Sequence, residues 1–245
     1  MPVVVSPVKT QTPRHAGFVR VTHWLTVVAF VALLITGGEI VISHPRFYWG
    51  ETGNVNMSPL FTIPIPSSRD TVPTGYQYVM PDQNGWSRYL HFQAAWLLVF
   101  TGAVYLIAGF ATSHFRKNLV PIHGERGLGA HWRRIAQYLR RSPPGSDEVR
   151  SYNVLQRTSY LTVIFILFPL VIWTGLALSP GFNAAFPFFV NVLGGRQSAR
   201  TLHFFVSGAL LLFLVVHIVM VAVSGFWTRT RPMIVGRAVS SEEEL

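Results

Sequence analysis

Stretches free of Asp, Glu, Lys and Arg set the pattern of this chain. Four of them, Val21 to Gly38, Tyr89 to Phe115, Thr158 to Gly195 and Thr201 to Thr228, are long and dominantly apolar. Each reaches or exceeds the ~18–20 residues that a helix needs to cross roughly 30 Å of hydrocarbon. The third is too long for one helix, and Ser179-Pro180-Gly181 breaks it, leaving an apolar re-entrant or surface segment behind the span. The pattern predicts an all-α fold: an integral membrane four-helix bundle in one domain, residues 1–245, with spans near 18–43, 88–113, 154–178 and 199–227. The first run follows basic residues as a signal peptide would, but it outlasts a usual h-region and has no small-x-small cleavage site before Glu39, so it is expected to be retained.

Composition agrees. Half of the 245 residues are hydrophobic and only 12% are charged, a balance foreign to a soluble domain of this size. The formal charge of +10 raises nucleic acid as a partner, but the basic residues sit between apolar runs and not on one soluble face, so the lipid bilayer is the expected counter-charge and no nucleic acid is expected. There is no cysteine, which excludes disulfides, thiolate-held iron–sulfur clusters and covalent C-x-x-C-H haem attachment.

The basic residues also orient the bundle. Fifteen of the 20 Lys and Arg fall in the N-terminal segment up to Arg20, the middle stretch from Arg116 to Arg157 and the C-terminal tail, against five on the other side. The positive-inside rule therefore places both termini and the 114–153 loop in the cytoplasm and the loop at 44–87 outside. That outer loop, rich in Pro, Gly and aromatics, has two readings, a docking surface or a cover over helix ends. In the cytoplasmic loop, Trp132, Ile135 and Leu139 recur at helical spacing among arginines and predict an interfacial amphipathic helix ending at Ser142-Pro143-Pro144-Gly145.

Four histidines fall within spans: His23, His91, His203 and His217. Ionisable groups at such depth mark function by default. His23 lies near the cytoplasmic start of the first helix and His91 near the outer start of the second, so these two cannot meet. On the fourth helix fourteen residues separate His203 from His217, an advance of ~21 Å with the rings only ~40° short of one face. Depth thus pairs His91 with His203 and His23 with His217. Zinc is an alternative, but structural sites take four ligands and catalytic ones usually three. Two facing imidazoles suit an iron porphyrin, whose macrocycle supplies four nitrogens and which is apolar enough to lie between helices.

Arg20, Arg88 and Arg200 each precede one of these histidines by three residues, about a turn nearer the surface, where guanidinium groups can pair with haem propionates. Arginines also flank membrane helices generally. That alternative accounts for Arg20, and poorly for Arg88 and Arg200 on the charge-poor side. Gly37, Gly38, Gly102, Gly175, Gly208 and Gly225 allow close approach of a ring or a helix, a weak signal in membrane helices. No role is assigned to His15, His44, His114, His123 or His131, and Glu39 is read as an interface residue.

Arg20-Val-Thr-His23-Trp24, Arg88-Tyr-Leu-His91-Phe92 and Arg200-Thr-Leu-His203 with His217 resemble the prokaryotic four-helix dihaem cytochromes b, the group of cytochrome b-561 and of the b subunits of nickel–iron hydrogenases, thiosulfate reductases and formate dehydrogenase. The resemblance spans nearly the whole chain, with His-x13-His its most specific element. It implies two non-covalent haems b held by His23, His91, His203 and His217, exchange with quinone or quinol near His23, His217 and the basic loop, and a periplasmic redox subunit of molybdoenzyme or hydrogenase type, in the bacterial inner membrane. The long outer loop leans towards the multisubunit branch. Two rival functions stand beside this one: a haem-free transporter or channel relaying protons through the same histidines, and a stand-alone quinol oxidase of the b-561 type.

Overall fold

The computed structural model describes residues 15–54, 56–64, 86–121, 127–140 and 154–236. Four helical segments in it are long and apolar enough to cross a membrane: α1 (Gly17–Ser43), α2 (Trp86–Ala111), Val154–Leu178 and α8 (Arg196–Val223). Helices are the required solution, because hydrocarbon offers no partner to a backbone N–H or C=O. The spans form two hairpins, α1 with α2 and the third segment with α8.

Small residues set the first hairpin. Thr22, Ala29, Thr36 and Ser43 are the buried residues of α1 and recur every seventh position; Ser87, Ala94 and Thr101 do the same on α2. A seven-residue period keeps one seam facing the partner, and small side chains let two backbones approach closely where lipid removes any hydrophobic drive between helices. Beside this seam α1 exposes Val21, Leu25, Val28 and Ile35, apolar side chains that suit contact with lipid.

The third span is composite: α4 (Val154–Thr162), a π-helical stretch at Val163–Leu167 and α5 (Phe168–Leu178). Pro169 stands in the first turn of α5, where the missing proline N–H breaks the i to i−4 ladder, and the widened turn immediately precedes it. Beyond Ser179, the segment expected to be re-entrant or superficial is two short helices, α6 (Pro180–Ala185) and α7 (Phe188–Asn191).

Two boundaries differ from expectation. The fourth span runs from Arg196 to Val223, not from 199 to 227, because Gly225 at φ 93 turns the chain into a separate helix, α9 (Phe226–Val235). The uncharged run alone does not reveal this turn. The Trp24 indole N–H donates to the Met233 carbonyl (3.1 Å), fastening α9 beside the start of α1. The second span starts at Trp86 and ends at Ala111, just before Ser113 at φ 55. The expected amphipathic helix is α3 (Leu128–Leu139), with Trp132 exposed and His131 Nε2 3.0 Å from Thr158 Oγ1. Its expected terminator at 142–145 and His123 lie outside the described residues.

At the opposite end, β1 (Arg46–Phe47) pairs antiparallel with β2 (Phe61–Thr62). Buried Phe47 stacks on Phe61 at 4.7 Å and touches Phe204 of α8 at 4.6 Å. The segment after β1 then caps α8. The Gly50 carbonyl accepts the N–H groups of Gln197 (2.9 Å) and Ser198 (3.2 Å), and the Glu51 carboxylate accepts that of Arg196 (3.0 Å). A helix start leaves such donors without intrahelical partners and favours a negative charge. Ser198 Oγ accepts from the Gly50 N–H (2.8 Å) and Thr201 Oγ1 donates to the Tyr48 carbonyl (2.7 Å), so this part of the 44–87 loop covers a helix end and fixes the depth of α8.

Candidate functional site

The helix held in this way carries two of the four intramembrane histidines, and each faces a ring from the other hairpin. His91 of α2 and His203 of α8 have ring centroids 6.3 Å apart with planes inclined at 68°. His23 of α1 and His217 of α8 have centroids 6.4 Å apart at 63°. We call these the distal pair, near the β-hairpin, and the proximal pair, near α9. Because α8 is unbroken between its two histidines, the pairs are separated by ~21 Å along it.

The spacing carries chemical information. A histidine–metal bond is about 2.0–2.1 Å and a ring nitrogen lies about 1.2 Å from the ring centre, so two imidazoles in line on one metal have centroids about 6.4 Å apart. Both pairs meet that distance. Among the described residues no group of three or more His, Cys, Asp or Glu could hold a metal ion. Among the described residues each pair thus offers two ring nitrogens, a donor set that would suit a metal bringing its other ligands with it, as the iron of a porphyrin does, better than zinc, which takes three or four protein ligands.

The distal rings are held from behind. Thr36 Oγ1 lies 2.9 Å from His91 Nδ1, and Thr174 Oγ1 lies 2.9 Å from His203 Nδ1. Next to each threonine stands a glycine that faces the same ring: a Cβ on Gly37 would be 3.5 Å from His91 Cε1, and one on Gly175 3.3 Å from His203 Cε1. Neither threonine stands out in the sequence; the shared feature is a Thr-Gly dipeptide in α1 and α5, which also occurs in α2 as Thr101-Gly102 away from any histidine. The proximal rings have aromatic neighbours instead. His23 meets Trp24 edge-on at 5.5 Å, while His217 stacks on Phe213 at 5.9 Å and lies 6.4 Å from Tyr160.

The three arginines are placed differently. Arg200 donates through Nη2 to the His44 carbonyl and lies over the Phe47 ring at 4.9 Å, so it anchors the loop as well as adding charge near the distal pair. Arg88 is exposed at the start of α2, and its charge reaches His44 as that of Arg200 does. Burial foremost, then the Arg200 and Arg88 charges, hold the His44 imidazole below its ordinary range against the pull of the Ile40 carbonyl, so the positive charge at this end is that of the guanidinium groups. Arg20 is half-buried near the proximal pair, packed against Gly236 beyond α9, and its Nε is buried without a hydrogen-bond partner. His114, just past α2, is lowered by burial against Phe18 and Phe115.

A membrane bundle without cysteine, whose imidazoles stand in facing pairs at the span of one coordinated metal, is built as a b-type haem protein. The chain belongs to the prokaryotic cytochrome b561 family, whose model matches residues 14–236. It is also 29% identical over 213 residues, 85% of this chain and 89% of the other, to a protein of Azospira oryzae described as a putative protein-methionine-sulfoxide reductase subunit, YedZ1. No solved structure matches. The chain is thus a multi-pass membrane protein that binds haem b and transfers electrons.

Proposed function

We propose that this protein binds two haems b, one between His91 and His203 and one between His23 and His217, and carries electrons across the bacterial inner membrane between the quinone pool and a periplasmic redox subunit. The observation that carries this reading is the presence of two imidazole pairs, 6.3 and 6.4 Å between centroids, at two depths of one helix. Bound there, haem b supplies a reversible one-electron iron couple. The chain supplies the rest. Four helices would exclude water, the histidines would offer ring nitrogens to the iron, and Arg20, Arg88 and Arg200 would offer positive charge to propionates. The charge bias of the loops sets both termini and α3 on the cytoplasmic side.

The relative from Azospira oryzae supports the partner assignment, since its description is that of a reductase subunit. Reduction of a sulfoxide to a sulfide consumes two electrons and two protons and releases water, so a partner of that kind would draw electrons outward from a quinol. By the charge rule, the loop between α1 and α2 would face such a partner.

Haem quantitation on the purified chain tests the proposal. Two haems per polypeptide and a dithionite-reduced alpha band are expected; one haem overturns the dihaem assignment, and none favours a proton-relaying transporter. Mild-detergent pull-down from native membranes tests the partner, and recovery of the cytochrome alone would favour a stand-alone quinol oxidase.

A further inference from the structure

Thr36 and Thr174 are buried to the same degree, 0% and 1% exposed, on helices from different hairpins. Each hydroxyl has three neighbours within hydrogen-bonding reach, one of them the carbonyl three residues back, Leu33 at 3.4 Å from Thr36 and Val171 at 3.1 Å from Thr174. Thr36 Oγ1 is 2.7 Å from the Ala32 carbonyl and 2.9 Å from His91 Nδ1. Thr174 Oγ1 is 2.8 Å from the Leu170 carbonyl and 2.9 Å from His203 Nδ1. A hydroxyl has one proton, and a carbonyl can only accept; the carbonyls four residues back, at 2.7 and 2.8 Å, are the nearest acceptors, which favours donation to them. With that donation the hydroxyl oxygen is an acceptor towards the ring, and the hydrogen between them comes from the imidazole. This arrangement assigns the proton to Nδ1 in both rings and the lone pair to Nε2.

We infer that Thr36 and Thr174 are the positioning residues of the distal site: each accepts the Nδ1–H of one histidine, fixing tautomer and ring plane so that Nε2 of His91 and Nε2 of His203 are the coordinating atoms. The inference rests on the haem reading above and adds an asymmetry to it. Among the described residues no threonine hydroxyl meets His23 or His217, so the proximal rings are set by their aromatic neighbours. A hydrogen bond from the far nitrogen makes the coordinating nitrogen a stronger donor, which favours the more positive ferric state. The threonines therefore hold the potential of the distal haem down and leave that of the proximal haem alone.

The test uses the full-length chain purified with haem, comparing Thr36→Val and Thr174→Val with Thr36→Ser and Thr174→Ser. Redox titration separates the two haem components, and electron paramagnetic resonance of the ferric state reports the relative orientation of the axial imidazoles. Each valine variant is expected to raise the midpoint of the same single component and to move that component's low-spin signal, with serine restoring both. Where a valine variant does not accumulate, Thr→Ala is read in the same way. Unchanged potentials and signals in both hydroxyl-free variants overturn the inference, as do shifts in different components. A wild-type protein with fewer than two haems would instead overturn the dihaem reading, and haem content measured on the same samples separates the two failures.

Discussion

The imidazole rings of His23 and His217 lie 6.4 Å apart although they come from the first and last membrane helices. Near the other end of α8, His203 stands 6.3 Å from His91. One straight helix thus serves both levels, and each level is completed by a different helix of the opposite hairpin.

Replacing His91 or His203 by Leu is expected to remove the same haem, about half of the total, and replacing His23 or His217 to remove the other. Difference spectra and haem content of the four variants check this. Loss of different components from His91→Leu and His203→Leu would sink the pairing.

Arg200→Ala has two expected effects, because the guanidinium both adds charge near the distal pair and bonds to the His44 carbonyl. A nearby cation stabilises the reduced, more negative site, so its removal lowers the midpoint of the distal component. Amide hydrogen exchange in residues 46–51 should rise at the same time. Arg88→Ala, altering an exposed side chain, should lower the same midpoint with no change in exchange.

The cap on α8 is expected to matter for stability. Glu51→Ala removes the carboxylate that accepts the Arg196 N–H and should cost about 0.5–2 kcal/mol. Gly195→Ala should cost more, since Gly195 has φ 107 and a Cβ there would stand 2.7 Å from the Gly50 backbone. Thermal unfolding in detergent, followed by circular dichroism, ranks the two; equal melting temperatures for Gly195→Ala and wild type would count against the close approach.

Gly37 and Gly175 make a matched pair of tests. The Cβ of Gly175→Ala would lie 3.3 Å from His203 Cε1, tight enough to press on a ring already held by Thr174, whereas that of Gly37→Ala would lie 3.5 Å from His91 Cε1, an ordinary contact. The first should broaden or shift the distal haem's absorption and the second should leave it close to wild type. The reverse order would show that the two rings are not held as described.

Much of the architecture was legible without coordinates, because hydrocarbon imposes a length and a polarity that one-dimensional runs of residues record directly. Val21 to Gly38 and Tyr89 to Phe115 could only be helices, and Ser179-Pro180-Gly181 could only end one. The turn at Gly225 was hidden, since a glycine in an apolar run reads equally as helix packing or as a break, and only its positive φ separates the two. Likewise the Thr-Gly dipeptides were indistinguishable from the small residues that pack any membrane helix.

Which residues share a depth could be read from spacing alone: α-helical rise is constant, so the fourteen-residue interval from His203 to His217 fixes two levels whatever surrounds them. What stands opposite each ring, and what holds it from behind, came from the packing of the helices. Those depend on rotation and approach of helices from different parts of the chain, and no spacing within one segment records the azimuth of another. Thr36 reaches His91, Thr174 reaches His203, and the Gly50–Glu51 turn caps α8 because of that packing.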